Sequence, residues 1–239
     1  MLDVITIGSA TMDVFVECDT ASVVSIREKN RSQEYMCYPY GSKLEITDFD
    51  SQVGGGGVNT AINFANLGMK TGAIFKIGND IYAKGILDNF KDKNVDLSNI
   101  IQKKSVSTGF SIILTSFEGD RTVLAHRGAN ITLKPEDIDF DKLKKTKWIY
   151  CAPLNSKYGN VLEKITDFAE ENNIKIAHNI GGKALDKSFD ELKPILQKLN
   201  ILSLNTEEAT RITKIEQKYT KNKKQIINGR FFNETCNNR

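Results

Sequence analysis

Four consecutive glycines, Gly54, Gly55, Gly56 and Gly57, run without a break into Val58, Asn59 and a helix-like stretch from Ala61 to Leu67. No other part of the chain constrains its fold as strongly. Glycine has no Cβ, so such a run admits left-handed dihedrals and lets a ligand or another backbone come close. Where a glycine run opens a helix, free backbone N–H groups and the helix dipole point at whatever sits there. Asn59 at that junction offers one acceptor and two donors to a hydroxylated ligand. A bare hinge needs the glycines but no asparagine, and most turns need fewer than four glycines. The stretch reads as a binding site for a polar small molecule, and it also suits a hinge that lets a covering element close.

The surrounding pattern is α/β. Val4 to Ile7 is a short apolar run ending at Gly8, suited to a buried parallel strand. From about Phe15 to Val53 the character changes. Glu34–Tyr38 and Lys43–Thr47 flank the turn signal Pro39-Tyr40-Gly41, which predicts antiparallel strands of a small inserted sheet. After Asn59, strand and helix signals alternate. Gly68 stands as a C-terminal cap, Asp80 as an N-cap, and Glu118-Gly119-Asp120 as the turn of a hairpin between 109–115 and 121–125. A strand over 148–151, a helix carrying Val161, Ile165, Phe168 and Ala169, and further units to about Ile212 complete the order. Repeated βα units imply a largely parallel sheet covered on both faces.

Composition excludes several classes. The chain has 239 residues, 40% of them hydrophobic, enough for a real core, and no apolar run is long enough to span a membrane. The N-terminus lacks the basic, apolar and small-residue order of a signal peptide. Cys18, Cys37, Cys151 and Cys236 form no Cys-x-x-Cys pair and have only His126 and His178 beside them. They read as reduced thiols of a cytoplasmic protein rather than zinc ligands. From Thr213 to Arg239 there are seven Lys or Arg against two Asp or Glu, so this tail carries +5 of a total +3 and the body is mildly acidic. A nucleic-acid partner needs a basic face with suitable readers, which the tail does not provide. No P-loop is present, and Asn59 stands where a dinucleotide fingerprint needs its third glycine.

Three motifs, in order, resemble the ribokinase-like (PfkB) sugar and nucleoside kinases. They are Ile5-Thr-Ile-Gly-Ser-Ala-Thr-Met-Asp13, then Val53 to Gly68 continuing to Lys76-Ile-Gly-Asn-Asp80, then Leu204-Asn205-Thr206-Glu207-Glu208-Ala209. The resemblance covers residues 1–213. It implies a three-layer α/β/α fold with a β-lid within about residues 14–53, and ATP and Mg2+ as cofactors. It also implies a homodimer through the lid, with a sugar or nucleoside as acceptor. Asp13, Gly54, Gly55, Gly56, Gly57 and Asn59 match the acceptor side. Asn205 and Glu208 match the phosphate and metal side, with Glu208 acting on magnesium through water. The same Asn205 and Glu208 also suit a helix cap. Asp13 is read as ending the first strand, where ligands gather in open α/β sheets; a solvated turn aspartate is the alternative. Asn179-Ile180-Gly181-Gly182 resembles the family's Asn-Pro-Gly loop with Ile180 in place of proline. The Asp-Thr-x-Gly-Ala-Gly-Asp signature, with its general base and anion hole, has no match. The expectation is a C-terminally truncated kinase of impaired activity with an atypical, disordered tail over 214–239, or a non-catalytic sugar-binding or dimerising remnant.

Overall fold

The computed structural model describes residues 1–29, 31–116 and 119–215. In chain order the elements are β1 (Leu2–Ile7), β2 (Thr11–Glu17), β3 (Ser22–Glu28), β4 (Arg31–Cys37), β5 (Asp48–Gly54), α1 (Gly56–Asn66), β6 (Thr71–Ile74), β7 (Lys76–Ile77) and α2 (Ile81–Asp88). They continue with β8 (Val95–Asp96), β9 (Ile101–Gln102), β10 (Gly109–Thr115), β11 (Arg121–His126), α3 (Phe140–Leu143), β12 (Thr146–Cys151) and α4 (Val161–Glu171). The last are β13 (Lys175–Asn179), α5 (Phe189–Leu196), β14 (Ile201–Ser203) and α6 (Thr206–Thr213). The expected tail lies, from residue 216 onward, outside the described residues.

Among the described residues six strands form the main sheet in the order β14-β13-β12-β1-β6-β8, every pair parallel. Successive residues of a strand face opposite sides, and here both sides are apolar. Ile5, Ile7, Ile74, Ile149 and Ile176 pack with Leu143 of α3, Ile165 of α4 and Leu192 of α5. Ala73 and Phe75, next to Ile74 in sequence, face the other way and pack with Val58 and Ala61 of α1 and Ile86 of α2. The α/β architecture with both faces covered is as expected. From β1 the chain builds outward through β6 and β8, then returns to the other side of β1 as β12. This reversal opens a crevice beyond the carboxyl ends of β1 and β12, where ligands bind in open α/β sheets.

A second, mixed sheet stands beside the first in the order β11-β10-β2-β5. β2 is antiparallel to β5 and parallel to β10, and β10 is antiparallel to β11. β3 and β4 make a separate two-stranded hairpin. A small inserted sheet is present, but neither expected segment belongs to it: Glu34–Tyr38 falls largely on β4 of the separate hairpin, and two strands of the sheet come from 109–126. Lys43–Thr47 is not a strand; the pairing segment is Asp48–Gly54, because β5 must run antiparallel to β2 into the glycine run. The 71–77 strand breaks at Phe75, with β6 bonded to β1 and β7 to β9. Punctuation residues behave as read. Gly68 closes α1 at φ +84°, where a Cβ would be strained, and Asp80 caps α2 by accepting from Ala83 N. Pro194 lies inside α5, where it supplies no N–H to the Asp190 carbonyl four residues earlier.

Candidate functional site

β1 ends at Ile7, and Gly8 lets the chain leave the main sheet. A Cβ on Gly8 would fall 2.6 Å from Gly57 N and 2.8 Å from Ala152 Cβ, so only glycine permits this approach. Asp13 accordingly does not end β1. It is the third residue of β2 in the second sheet, because the backbone has crossed from one sheet to the other over Gly8, Ser9 and Ala10.

That crossing meets the start of α1. Gly56 N donates to Ser9 Oγ at 3.0 Å, while Gly57 N and Val58 N donate to the Ser9 carbonyl at 2.9 and 3.4 Å. The expectation of free N–H groups at the glycine run is corrected here: Ser9 already satisfies three of them. Gly55, at φ +96°, would place a Cβ 2.8 Å from Ala10 Cα. What the glycines accommodate is a second strand of backbone, the other consequence of lacking a Cβ. Asn130 locks the same crossing from 120 residues away, with Ala10 N donating to Asn130 Oδ1 and Asn130 Nδ2 donating to Ala10 O, both at 2.9 Å. Neither Ser9 nor Asn130 stood out in the sequence. The only local signal was Gly128, a left-handed glycine at φ +47° two residues before Asn130.

Asp13 is half-buried, and among the described residues its carboxylate has no hydrogen-bond or ion-pair partner. It lies over Gly54, where a Cβ would collide with it. Asn59 is exposed on the first turn of α1 and likewise has no side-chain partner among the described residues. Ser111, opposite Asp13 in the β2–β10 register, helps line a cleft of about 70 Å³ at the crevice. Its walls are Gly8, Ser9 and Pro153 to Asn155 from the main sheet, and Thr11, Ala125, His126, Arg127 and Asn130 from the second sheet and its exit. Small-molecule pockets usually run to roughly 300–1,000 Å³, so this cleft is smaller than most ligand sites.

Asn205 and Glu208 lie at the carboxyl end of β14, on the same edge of the main sheet. They form a capping box: Glu208 N donates to Asn205 Oδ1 at 2.8 Å and Asn205 N donates to Glu208 Oε2 at 2.9 Å. The second oxygen, Glu208 Oε1, faces Gly181, 3.7 Å from where a Cβ would stand. In the turn after β13, Asn179 Nδ2 donates to Ser203 O, and Gly182, at φ +60°, leaves its Cβ space to the Asn155 amide. Asn155, the 179–182 turn and Glu208 therefore share one rim.

His178 and Cys151 are buried below that rim. Burial lowers the His178 imidazole to about 4 despite its 2.9 Å hydrogen bond to Cys151 O. Burial raises the Cys151 thiol to about 12. Both are neutral at physiological pH and out of reach of a ligand. Among the described residues, no group of three or more His, Cys, Asp or Glu could hold a metal ion, and no helix is long and apolar enough to cross a membrane.

The family profile described as pfkB family carbohydrate kinase matches residues 20–231. Over 99 residues the chain is 38% identical to a ribokinase of Staphylococcus aureus (strain COL), covering 41% of this chain and 33% of that protein. It is 36% identical over 106 residues to a 5-dehydro-2-deoxygluconokinase of Geobacillus kaustophilus (strain HTA426), covering 43% of this chain and 32% of that one. The match thus spans about a third of the length of these curated relatives. The structure of an Arabidopsis thaliana ribokinase complexed with ribose and ATP superposes with a TM-score of 0.71 at 18% identity, over 91% of this chain and 64% of that one. That likeness establishes a shared ribokinase-like fold.

Proposed function

This chain belongs to the pfkB family of carbohydrate kinases, and from that premise we propose that it binds a sugar or nucleoside acceptor at Asp13, Gly54 to Gly57 and Asn59. The observation that carries this reading is the Asp13 carboxylate, half-buried and unpartnered among the described residues, held over Gly54 beside the crevice. An unpaired carboxylate accepts two hydroxyl donors, which is how it would orient a polyol. The proposed activity is ATP-dependent phosphorylation of an acceptor hydroxyl, whose catalysis rests on positioning and on charge stabilisation.

Asn205 and Glu208 are the proposed phosphate-side residues. Mg2+ tends to keep its waters and to bind through one or two carboxylates and substrate phosphates. Glu208 Oε1, without a partner among the described residues, fits that use through a water. Bound Mg2+ would neutralise phosphate charge. Residues 1–213 are proposed as the kinase unit, with a cytoplasmic setting, and 214–239 as a separate tail.

A second copy of the chain is the proposed partner of the second sheet. On the face opposite Asp13, Val14, Val16, Ile112 and Leu114 form an apolar band continued by Phe49 and Leu124, which are 65% and 53% exposed. A sheet face of this kind needs cover. Sedimentation of the chain with and without Leu124→Glu tests the dimer.

The second reading is acceptor binding without turnover. It is favoured by the capping box, which occupies the side-chain oxygen Oδ1 of Asn205 and one oxygen of Glu208. Calorimetry against pentoses, hexoses and nucleosides, run beside ADP release with ATP and Mg2+, separates the two. Binding with ADP release supports the kinase, and binding alone the second reading. Full affinity in Asp13→Ala removes the proposed site.

A further inference from the structure

The two halves of the proposed acceptor site are held by one dipeptide. Ser9 holds the start of α1, accepting from Gly56 N, Gly57 N and Val58 N, and α1 carries Asn59. Ala10 leads directly into β2, which carries Asp13. Ala10 is fully buried, and both of its backbone polar groups go to one side chain. Asn130 Oδ1 accepts from Ala10 N and Asn130 Nδ2 donates to Ala10 O, each at 2.9 Å. An amide that satisfies the N–H and the carbonyl of one residue fixes both flanking peptide planes. Asn130 itself has little freedom. It lies in the 3-10 turn Gly128–Thr132 after β11, where Ala129 N donates to Ser107 O at 2.7 Å and the buried Lys76 donates to Thr132 O at 2.8 Å. Its route to Ala10 passes Gly109, the first residue of β10, where a Cβ would collide with Asn130 Nδ2.

The clasp ties the turn that leaves the second sheet to the point where the chain enters it. At about 3.3 Å per residue, the Asp13 Cα stands roughly 10 Å along β2 from that of Ala10. A small rotation at Ala10 therefore reaches Asp13 as a displacement, while Asn59, held through Ser9, stays with the main sheet. We propose that Asn130 is a positioning residue of the acceptor site: by clasping Ala10 it sets the separation of the Asp13 carboxylate from the Asn59 amide, so that one ligand bridges both. Two-point binding is sensitive to such spacing, because a ligand that meets one group and misses the other loses hydrogen bonds already prepared for it. This inference rests on the acceptor-site reading above and adds the residue that holds its geometry.

Calorimetry of the full chain with D-ribose, D-fructose and adenosine selects the probe, the tightest binder of the three. Asn130→Ala should weaken its binding about tenfold, the effect of one lost hydrogen-bond partner. Asn130→Asp keeps an acceptor for Ala10 N but loses the donor to Ala10 O, and should fall between Asn130→Ala and the parent. Gly109→Ala should weaken binding as well, by displacing the amide. The deciding measurement is a double-mutant cycle. In an Asp13→Ala background, Asn130→Ala should change affinity less than about twofold, since no carboxylate is left to position. Parent affinity in Asn130→Ala, with only its melting temperature lowered, overturns the inference. So does an undiminished tenfold loss in the Asp13→Ala background, which would make Asn130 a direct ligand contact. Should Asn130→Ala not fold, Asn130→Asp takes its place in the cycle and is judged by the same two outcomes. The acceptor-site reading stands through either of them if Asp13→Ala alone weakens binding. Full affinity in Asp13→Ala, or no binding by any of the three ligands, overturns both.

Discussion

The Asp13 carboxylate occupies the volume that a Cβ on Gly54 would need. The two residues are diagonal neighbours, since Thr11 is opposite Gly54 and Asp13 is opposite Gln52 in the β2–β5 ladder. Gly54 is therefore the floor on which the proposed ligand carboxylate rests. Gly54→Ala should weaken acceptor binding about as much as Asp13→Ala, each by roughly 1–3 kcal/mol for a lost partner to a buried hydroxyl. The double variant should lose less than the sum, because both changes remove the same carboxylate from the same place. Additive losses in calorimetry would show that Gly54 acts independently of Asp13.

Asn59 and Asn205 should separate binding from stability. Asn59 is exposed with no side-chain partner among the described residues, so Asn59→Ala should leave the urea midpoint unchanged while reducing sugar affinity. Asn205 caps α6, and Asn205→Ala should cost about 1 kcal/mol of stability, as caps do. The reverse pattern would make Asn59 structural.

Lys76 and Asp137 form a 2.6 Å ion pair with side chains only 7% and 8% exposed, and Lys76 Nζ also donates to Thr132 O at 2.8 Å. The pair fastens β7 to the segment that carries Asn130. Lys76→Met leaves Asp137 buried without its cation and should cost about 3–5 kcal/mol in denaturant unfolding. Adding Asp137→Leu should recover a good part of that loss. If Lys76→Met costs under about 1 kcal/mol, as at a surface pair, the segment is held by other contacts.

His178 predicts an acid-side loss of stability. Burial lowers its folded-state value from 6.5 to about 4, so the unfolded chain takes up a proton in a range where the folded chain does not. The contribution is complete above pH 6.5 and is lost as pH falls towards about 4, on the order of 3 kcal/mol across that window. Urea midpoints between pH 7.5 and 4 should fall more steeply for the parent than for His178→Gln. Should that variant not fold, an NMR titration of the His178 ring in the parent gives the same answer. A ring that titrates near 6.5 would contradict the burial.

Local chemistry was legible in the sequence. Gly68 and Asp80 announce helix ends, and the pairing of β10 with β11 follows from their two runs, Glu118 of the expected turn lying outside the described residues. The covered parallel sheet follows from alternating βα units, because periodicity and capping act within a few residues and leave their mark there. Asp13, Gly54 and Asn59 were visible as chemistry in the same way. What only the tertiary structure decided is who meets whom across long separations. Ser9 takes the N–H groups of Gly56 and Gly57, Asn130 clasps Ala10 across 120 residues, and Arg127 enters a cleft that β1 and β12 open together. The spacing of residues along a chain carries no record of such pairings. They follow from strand register and sheet order, and these are set only when both sheets are built.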